Sequence, residues 1–110
     1  KPLAAYQGTQ WRLADMYAQL ESARLLTMKA AARRDSGERF SLDSATAKLV
    51  AAECAGFITD AALQLHGGYG YSRDLPLERY VRDARILRIF EGTSEVQKII
   101  ISRALLDARP

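Results

Sequence analysis

Apolar positions recur at helical spacing through most of the chain. Leu13, Met16, Tyr17, Leu20, Ala23, Leu26 and Ala31 form one stripe, and between Leu3 and Asp35 only Gly8 interrupts good helix formers. This pattern predicts one long amphipathic helix. The segment "RRDSGERF" ends it, with Gly37 as the C-cap. A second helix follows, capped by Ser41 or Asp43, with its stripe on Leu42, Ala45, Leu49, Ala52, Gly56, Phe57, Ala61 and Leu65. The small residues Ala51, Ala52, Ala55 and Gly56 would let a neighbouring helix come close. It stops at "HGGYGYS", where Gly67, Gly68 and Gly70 supply flexible or positive-φ positions.

A loop runs to Pro76, which suits a helix start, and "LERYVRDARILRIF" reads as a third helix that halts at Gly92. "TSEVQKIIISRALL" is the fourth. Ser94 and Gln97 match a capping box, and Val96, Ile99, Ile100 and Leu106 give its apolar side. No strand alternation or internal repeat appears. Four helices with short connections predict an all-α, antiparallel up-and-down four-helix bundle spanning residues 1–110 as one domain.

Composition narrows the function classes. The net charge of +3 is small, and acidic residues alternate with basic ones, which argues against a nucleic-acid face. No apolar run is long enough to span a bilayer, and no secretory signal pattern opens the chain. The single cysteine, Cys54, allows no internal disulfide and makes a reducing compartment the default. The first residue is Lys1, and "KPLAAYQ" runs straight into a helical pattern. An excised or processed piece of a longer protein is expected.

Three stretches could carry chemistry. Glu91 lies at a helix break after Ile89 and Phe90 and before Gly92. A side chain there projects into a cleft readily, and apolar neighbours would desolvate it and raise its pKa. That is what a general base for a weakly acidic C–H needs. A partly exposed glutamate at a helix end is the plainer reading. "GTSEVQ" offers free N–H groups and the positive end of a helix dipole to an electron-rich ligand atom, with hydroxyls on Thr93 and Ser94; a well-capped helix explains the same residues. "QLHGGYGY" permits close backbone approach beside the flat rings of Tyr69 and Tyr71, but it lacks the strand–loop–helix context of a dinucleotide fingerprint. His66 has no second histidine or nearby cysteine to build a metal set and reads as a hydrogen-bonding group. Cys54 reads as a buried, inert thiol. Arg79, Arg82, Arg85 and Arg88, interleaved with Glu78 and Asp83, read as a solvated, ion-paired face.

Taken together, "QLHGGYGYSRDLPLERYVRDARILRIFEGTSEVQKIIISRALL" resembles the C-terminal end of the acyl-CoA dehydrogenases, and "KPLAAYQGTQWRLADM" resembles an earlier part of the same helical domain. The resemblance covers nearly the whole chain in order. The family's N-terminal helical domain, its central β domain and the start of its C-terminal domain are absent. The resemblance implies a parent enzyme that holds FAD and converts acyl-CoA thioesters to trans-2-enoyl-CoA. Glu91 matches the glutamate that removes the α-proton while the β-hydrogen leaves as hydride to flavin N5. Gly92 matches a backbone contact to substrate near the thioester. Phe90 stands beside it where many members have tyrosine. Thr93, Ser94 and Glu95 match a segment that lies along FAD. Gln64, Leu65, His66, Gly67 and Gly68 match a segment that meets the FAD of a neighbouring subunit, and Gln7 matches a glutamine that does the same. Tyr6 replaces the histidine often found before that glutamine.

The resemblance also implies a homo-oligomer, usually a dimer of dimers, and an electron-transfer flavoprotein as partner. The expected compartment is a bacterial cytoplasm, or the mitochondrial matrix for a eukaryotic source. The isolated piece is expected to be inactive. Two other readings stay open: a non-catalytic helical oligomerisation module, and a flavin-dependent acyl-CoA oxidase relative.

Overall fold

The computed structural model describes residues 1–108. A 3-10 turn, Leu3–Ala5, precedes α1, Gln7–Asp35. The others are α2, Ser41–His66; α3, a single turn at Gly68–Tyr71; α4, Leu77–Arg85, extended by a 3-10 turn at Ile86–Arg88; and α5, Ser94–Asp107. The four long helices match the expected ones.

The first expected helix is broken at Tyr6, whose extended backbone (φ −92°, ψ 132°) separates the opening turn from α1. Gln10 Nε2 donates to Ala4 O across this break at 2.9 Å and so replaces an intrahelical bond. At the other end Gly37 has φ +78°. Its N–H reaches Arg34 O and the Glu38 N–H reaches Arg33 O, both at 3.1 Å. This pair of bonds is a Schellman ending, one residue beyond the C-cap Ser36.

Neither expected cap of α2 acts as one. Phe40 occupies the N-cap position without a side-chain bond. Asp43 is buried instead and pairs with Lys29 at 3.3 Å and Arg33 at 3.5 Å. The short connection turns α2 back along α1, so the basic last turns of α1 claim the carboxylate before the backbone can. The α5 start also differs from expectation. Thr93 is the N-cap, its Oγ1 accepting from Val96 N at 3.1 Å. Ser94 and Gln97 form no capping box, because both side chains turn toward other partners.

α2 is the central helix; α1, α4 and α5 all pack on it. The contacts are made by small residues: Ala23 and Ala30 of α1, Ala45, Ala47, Ala52, Cys54 and Ala61 of α2, and Ala84 of α4 are buried. Alanine lets helix axes come close, but it buries little apolar area. α5 departs most from its expected face. Ser94 and Gln97 are its buried residues, with Ile101 and Ala104 half-buried. The expected apolar side, Val96, Ile99, Ile100 and Leu106, is exposed. The inward row at 94, 97, 101 and 104 is also a helical stripe, and its polar members have partners on α2 and on the preceding turn.

Candidate active site

The segment between α4 and α5 is a tight turn built on two successive left-handed residues. Glu91 has φ +54° and Gly92 φ +88°. For a non-glycine residue the left-handed region is costly, about 1–2 kcal/mol. A Cβ at 92 would also lie 2.5 Å from Gln97 Nε2, so the end of that side chain would have to move away from the turn.

Lys48, two turns into α2, holds this turn. Its Nζ donates to the carbonyls of Leu87, Phe90 (3.2 Å) and Gly92 (2.7 Å). Gln97 Nε2 adds a bond to Gly92 O at 3.3 Å. An ammonium has three donors, so all three have acceptors. Glu53, one and a half turns further along α2, accepts from Ser94 Oγ at 3.0 Å and pairs with Arg88 Nη1 at 3.5 Å. The Arg88 guanidinium lies against Gly56, and its buried Nε has no partner. Arg88 therefore leaves the row of exposed arginines to tie the end of α4 to α2.

Lys48 and Glu53 were missed in the sequence. A signal for Lys48 exists: it sits between Ala45 and Ala52 on the stripe that α2 buries, a lone charge where an apolar residue is expected. Glu53 carries no such mark.

The turn presents Phe90 and Glu91 outward. Both are exposed, as is Ile89. The apolar neighbours expected to cover Glu91 do not do so, because the turn projects beyond the packed faces of α2, α4 and α5. Beside it, the α5 start keeps the N–H groups of Ser94 and Glu95 without acceptors among the described residues. Thr93 is half-buried and Glu95 exposed, whereas the Ser94 hydroxyl is committed to Glu53. An open groove of about 1190 Å³ runs between α2 and α4, with Glu53, Phe57, Asp60, Arg82, Arg85 and Ile89 among its walls.

The other candidate residues lie elsewhere. Gln64, Leu65 and His66 end α2, and Gly67, with φ +61°, and Gly68 form the turn after it. Gln7 opens α1, whose neighbouring residues Gly8 and Trp11 face Phe57 and Ala61 toward the same end of α2. These residues are exposed apart from half-buried Leu65. His66 Nδ1 donates to Ala62 O at 2.7 Å, leaving Nε2 outward. From Glu53, which holds the α5 start, to Gln64 is about 17 Å along the helix at 1.5 Å per residue. The structure therefore gathers Phe90–Glu95 at one turn, places Gln64–Gly68 at the far end of α2, and sets Gln7 at the start of α1, next to residues that face α2 at Phe57 and Ala61.

Residues 1–106 match the family model described as acyl-CoA dehydrogenase, C-terminal domain. The chain belongs to that family. It is 51% identical to the acryloyl-CoA reductase (NADH) of Anaerotignum propionicum over 96% of its own length and 27% of that protein. It is likewise 51% identical to the mitochondrial short-chain specific acyl-CoA dehydrogenase of Rattus norvegicus, over 96% of this chain and 26% of the relative. Among solved structures, butyryl-CoA dehydrogenase from Megasphaera elsdenii superposes with a TM-score of 0.94 at 47% identity, covering 96% of this chain and 28% of that one. An FAD complex of PigA superposes with a TM-score of 0.92 at 34% identity, covering 96% and 27%. The chain thus spans about a quarter of the length of the proteins it matches.

Proposed function

We propose that this chain is the C-terminal helical domain of an FAD-dependent enzyme that dehydrogenates acyl-CoA thioesters between Cα and Cβ, with Glu91 as the base that takes the α-proton. The observation that carries this reading is the turn itself. Its carboxylate is held outward on a left-handed residue, between carbonyls that Lys48 fixes on either side. A strained residue held by its surroundings is a mark of functional sites.

The α-proton of a thioester is only weakly acidic, so the base must be well placed and shielded from water. The chain supplies the placement. The exposed Phe90 ring and Ile89 supply an apolar surface against which an acyl chain completes the shielding, while the Gly92 backbone lines the thioester. The residues fit the flavin on the same side: the α5 start offers two unengaged N–H donors and the Thr93 hydroxyl to an electron-rich ring atom. When bound, FAD supplies the acceptor for the β-hydride. Under this reading Gln7 and Gln64–Gly68 meet the flavin of a neighbouring subunit, so the reading includes a homo-oligomer.

The proposed electron partner is an electron-transfer flavoprotein, and the proposed compartment is a bacterial cytoplasm or a mitochondrial matrix. No helix among the described residues is long and apolar enough to cross a membrane. Likeness to an acryloyl-CoA reductase favours one variant: the same site run in reverse, with Glu91 delivering the proton to Cα.

The test is anaerobic flavin bleaching of the full-length protein by a saturated acyl-CoA, with and without Glu91→Gln. Bleaching that the variant abolishes while retaining FAD supports the reading. Equal bleaching by both removes Glu91 from the role. Failure of the full-length protein to hold FAD overturns the reading in favour of a helical assembly module.

A further inference from the structure

We propose that Lys48 is the positioning residue of Glu91, an assignment that rests on the reading of Glu91 as base. Its Nζ reaches the carbonyls of Leu87, Phe90 and Gly92, so it binds the backbone immediately before and immediately after Glu91. No carboxylate lies within ion-pairing distance of Lys48 among the described residues; its charge is spent on the turn alone. Charge-assisted bonds are the strong ones, and three of them converge on a six-residue stretch.

The geometry explains why a lysine stands there. Three carbonyls from one turn approach a single point. A compact ammonium offers three donors around one atom, whereas the planar fork of arginine spreads its donors over three nitrogens. Without the ammonium, Leu87 O and Phe90 O lose their only side-chain donor among the described residues, and Gly92 O keeps the Gln97 bond at 3.3 Å. The left-handed φ of Glu91 is unfavourable in itself, so the turn relaxes once these bonds are gone. The carboxylate then leaves the position from which it meets the α-proton.

The test uses the full-length FAD-loaded protein, with Lys48→Met, Lys48→Arg and Glu91→Gln compared with wild type. Three quantities are read: the rate of anaerobic flavin bleaching by a saturated acyl-CoA, the affinity for that acyl-CoA, and amide exchange across residues 86–93. Lys48→Met is expected to keep FAD and substrate affinity. It should slow bleaching by roughly 10- to 100-fold, the scale of a misplacement of about 1 Å, and speed exchange in the turn. Lys48→Arg preserves charge and stem, so it folds where the methionine variant does not, and it too should be slow. Wild-type bleaching in either Lys48 variant overturns the proposal. So does a loss of rate matched by an equal loss of acyl-CoA affinity, which would make Lys48 part of the substrate pocket. Normal bleaching by Glu91→Gln removes the base reading instead. Exchange in the turn then still decides whether Lys48 holds it, and unchanged exchange overturns that as well.

Discussion

Two glycines in α2 and α3 should respond to the same substitution with opposite signs. Gly70 has ordinary backbone angles, so an alanine there meets no conformational penalty. Its Cβ would, however, lie 2.7 Å from Leu63 O and 2.8 Å from His66 Cβ. Both belong to the last turns of α2, and one is backbone, so neither can yield without moving the helix end. Overpacking of this kind costs about 1–3 kcal/mol. Gly56 lies inside α2, and a Cβ there would meet the Arg88 guanidinium at 3.5 Å, an ordinary contact. Replacing an interior helical glycine by alanine gains about 0.8–1.0 kcal/mol of propensity. Native-state amide exchange in the full-length protein reads both locally. Gly70→Ala should speed exchange of the Gln64–Gly67 amides by roughly 5- to 150-fold, and Gly56→Ala should slow exchange in mid-α2 by roughly 4- to 5-fold, at 1.4 kcal/mol per decade. Shifts of the same sign in both variants would refute the argument that close backbone approach, and not helix propensity, holds glycine at 70.

Two further outcomes follow from single contacts. Thr93→Ala removes the acceptor of Val96 N and should destabilise the α5 start by about 0.5–2 kcal/mol; faster exchange at Val96, restored by Thr93→Ser, checks it. Burial raises the Cys54 thiol above its ordinary value of 9.0, so the folded state favours the protonated form. The stability from this group is complete below that ordinary value and is lost as pH rises through it toward the raised one. Thiol alkylation at pH 8 should therefore be slow in the folded protein and rapid in denaturant.

The helices were legible in the sequence because their breaks are marked by glycine, proline and polar clusters, as at Gly37, "HGGYGYS" and Gly92. The candidate ligand contacts were singled out only through the family resemblance; spacing alone left Glu91 and "GTSEVQ" with plain structural readings. What the sequence hid were partners across elements. Nothing local shows that Asp43 answers Lys29 and Arg33, or that Ser94 turns to Glu53. Asp43 and Ser94 each had a local capping role available, and a charged partner on another helix won. The face of α5 was misread for the same reason. An apolar side was assumed to be the inner one, yet the helix carries apolar residues on both sides, and bonds from Ser94 and Gln97 decide which side faces α2.

The distribution of size across the core bears on how such a domain is held. Its buried apolar residues are alanines and one cysteine, and no large side chain is fully buried. Trp11, Tyr17, Leu25 and Met28 of α1 are each more than 60% exposed. The accessible surface is 8083 Å², whereas a compact monomer of this mass would show about 6,100 Å². The radius of gyration is 17.0 Å against about 13 Å for a compact chain of this length. The surplus, on the order of 2,000 Å², exceeds twice the ~800 Å² that one partner contributes to a standard interface. Alanine contacts set how closely α1 and α2 approach, but a buried leucine or phenylalanine contributes about 1.5–3 kcal/mol, and here those residues lie on the outside. Their burial, and the shielding of Glu91 with it, requires surfaces beyond this chain. This favours a domain that completes its core on assembly with further surfaces, the same step that would shield Glu91 under the proposed reading.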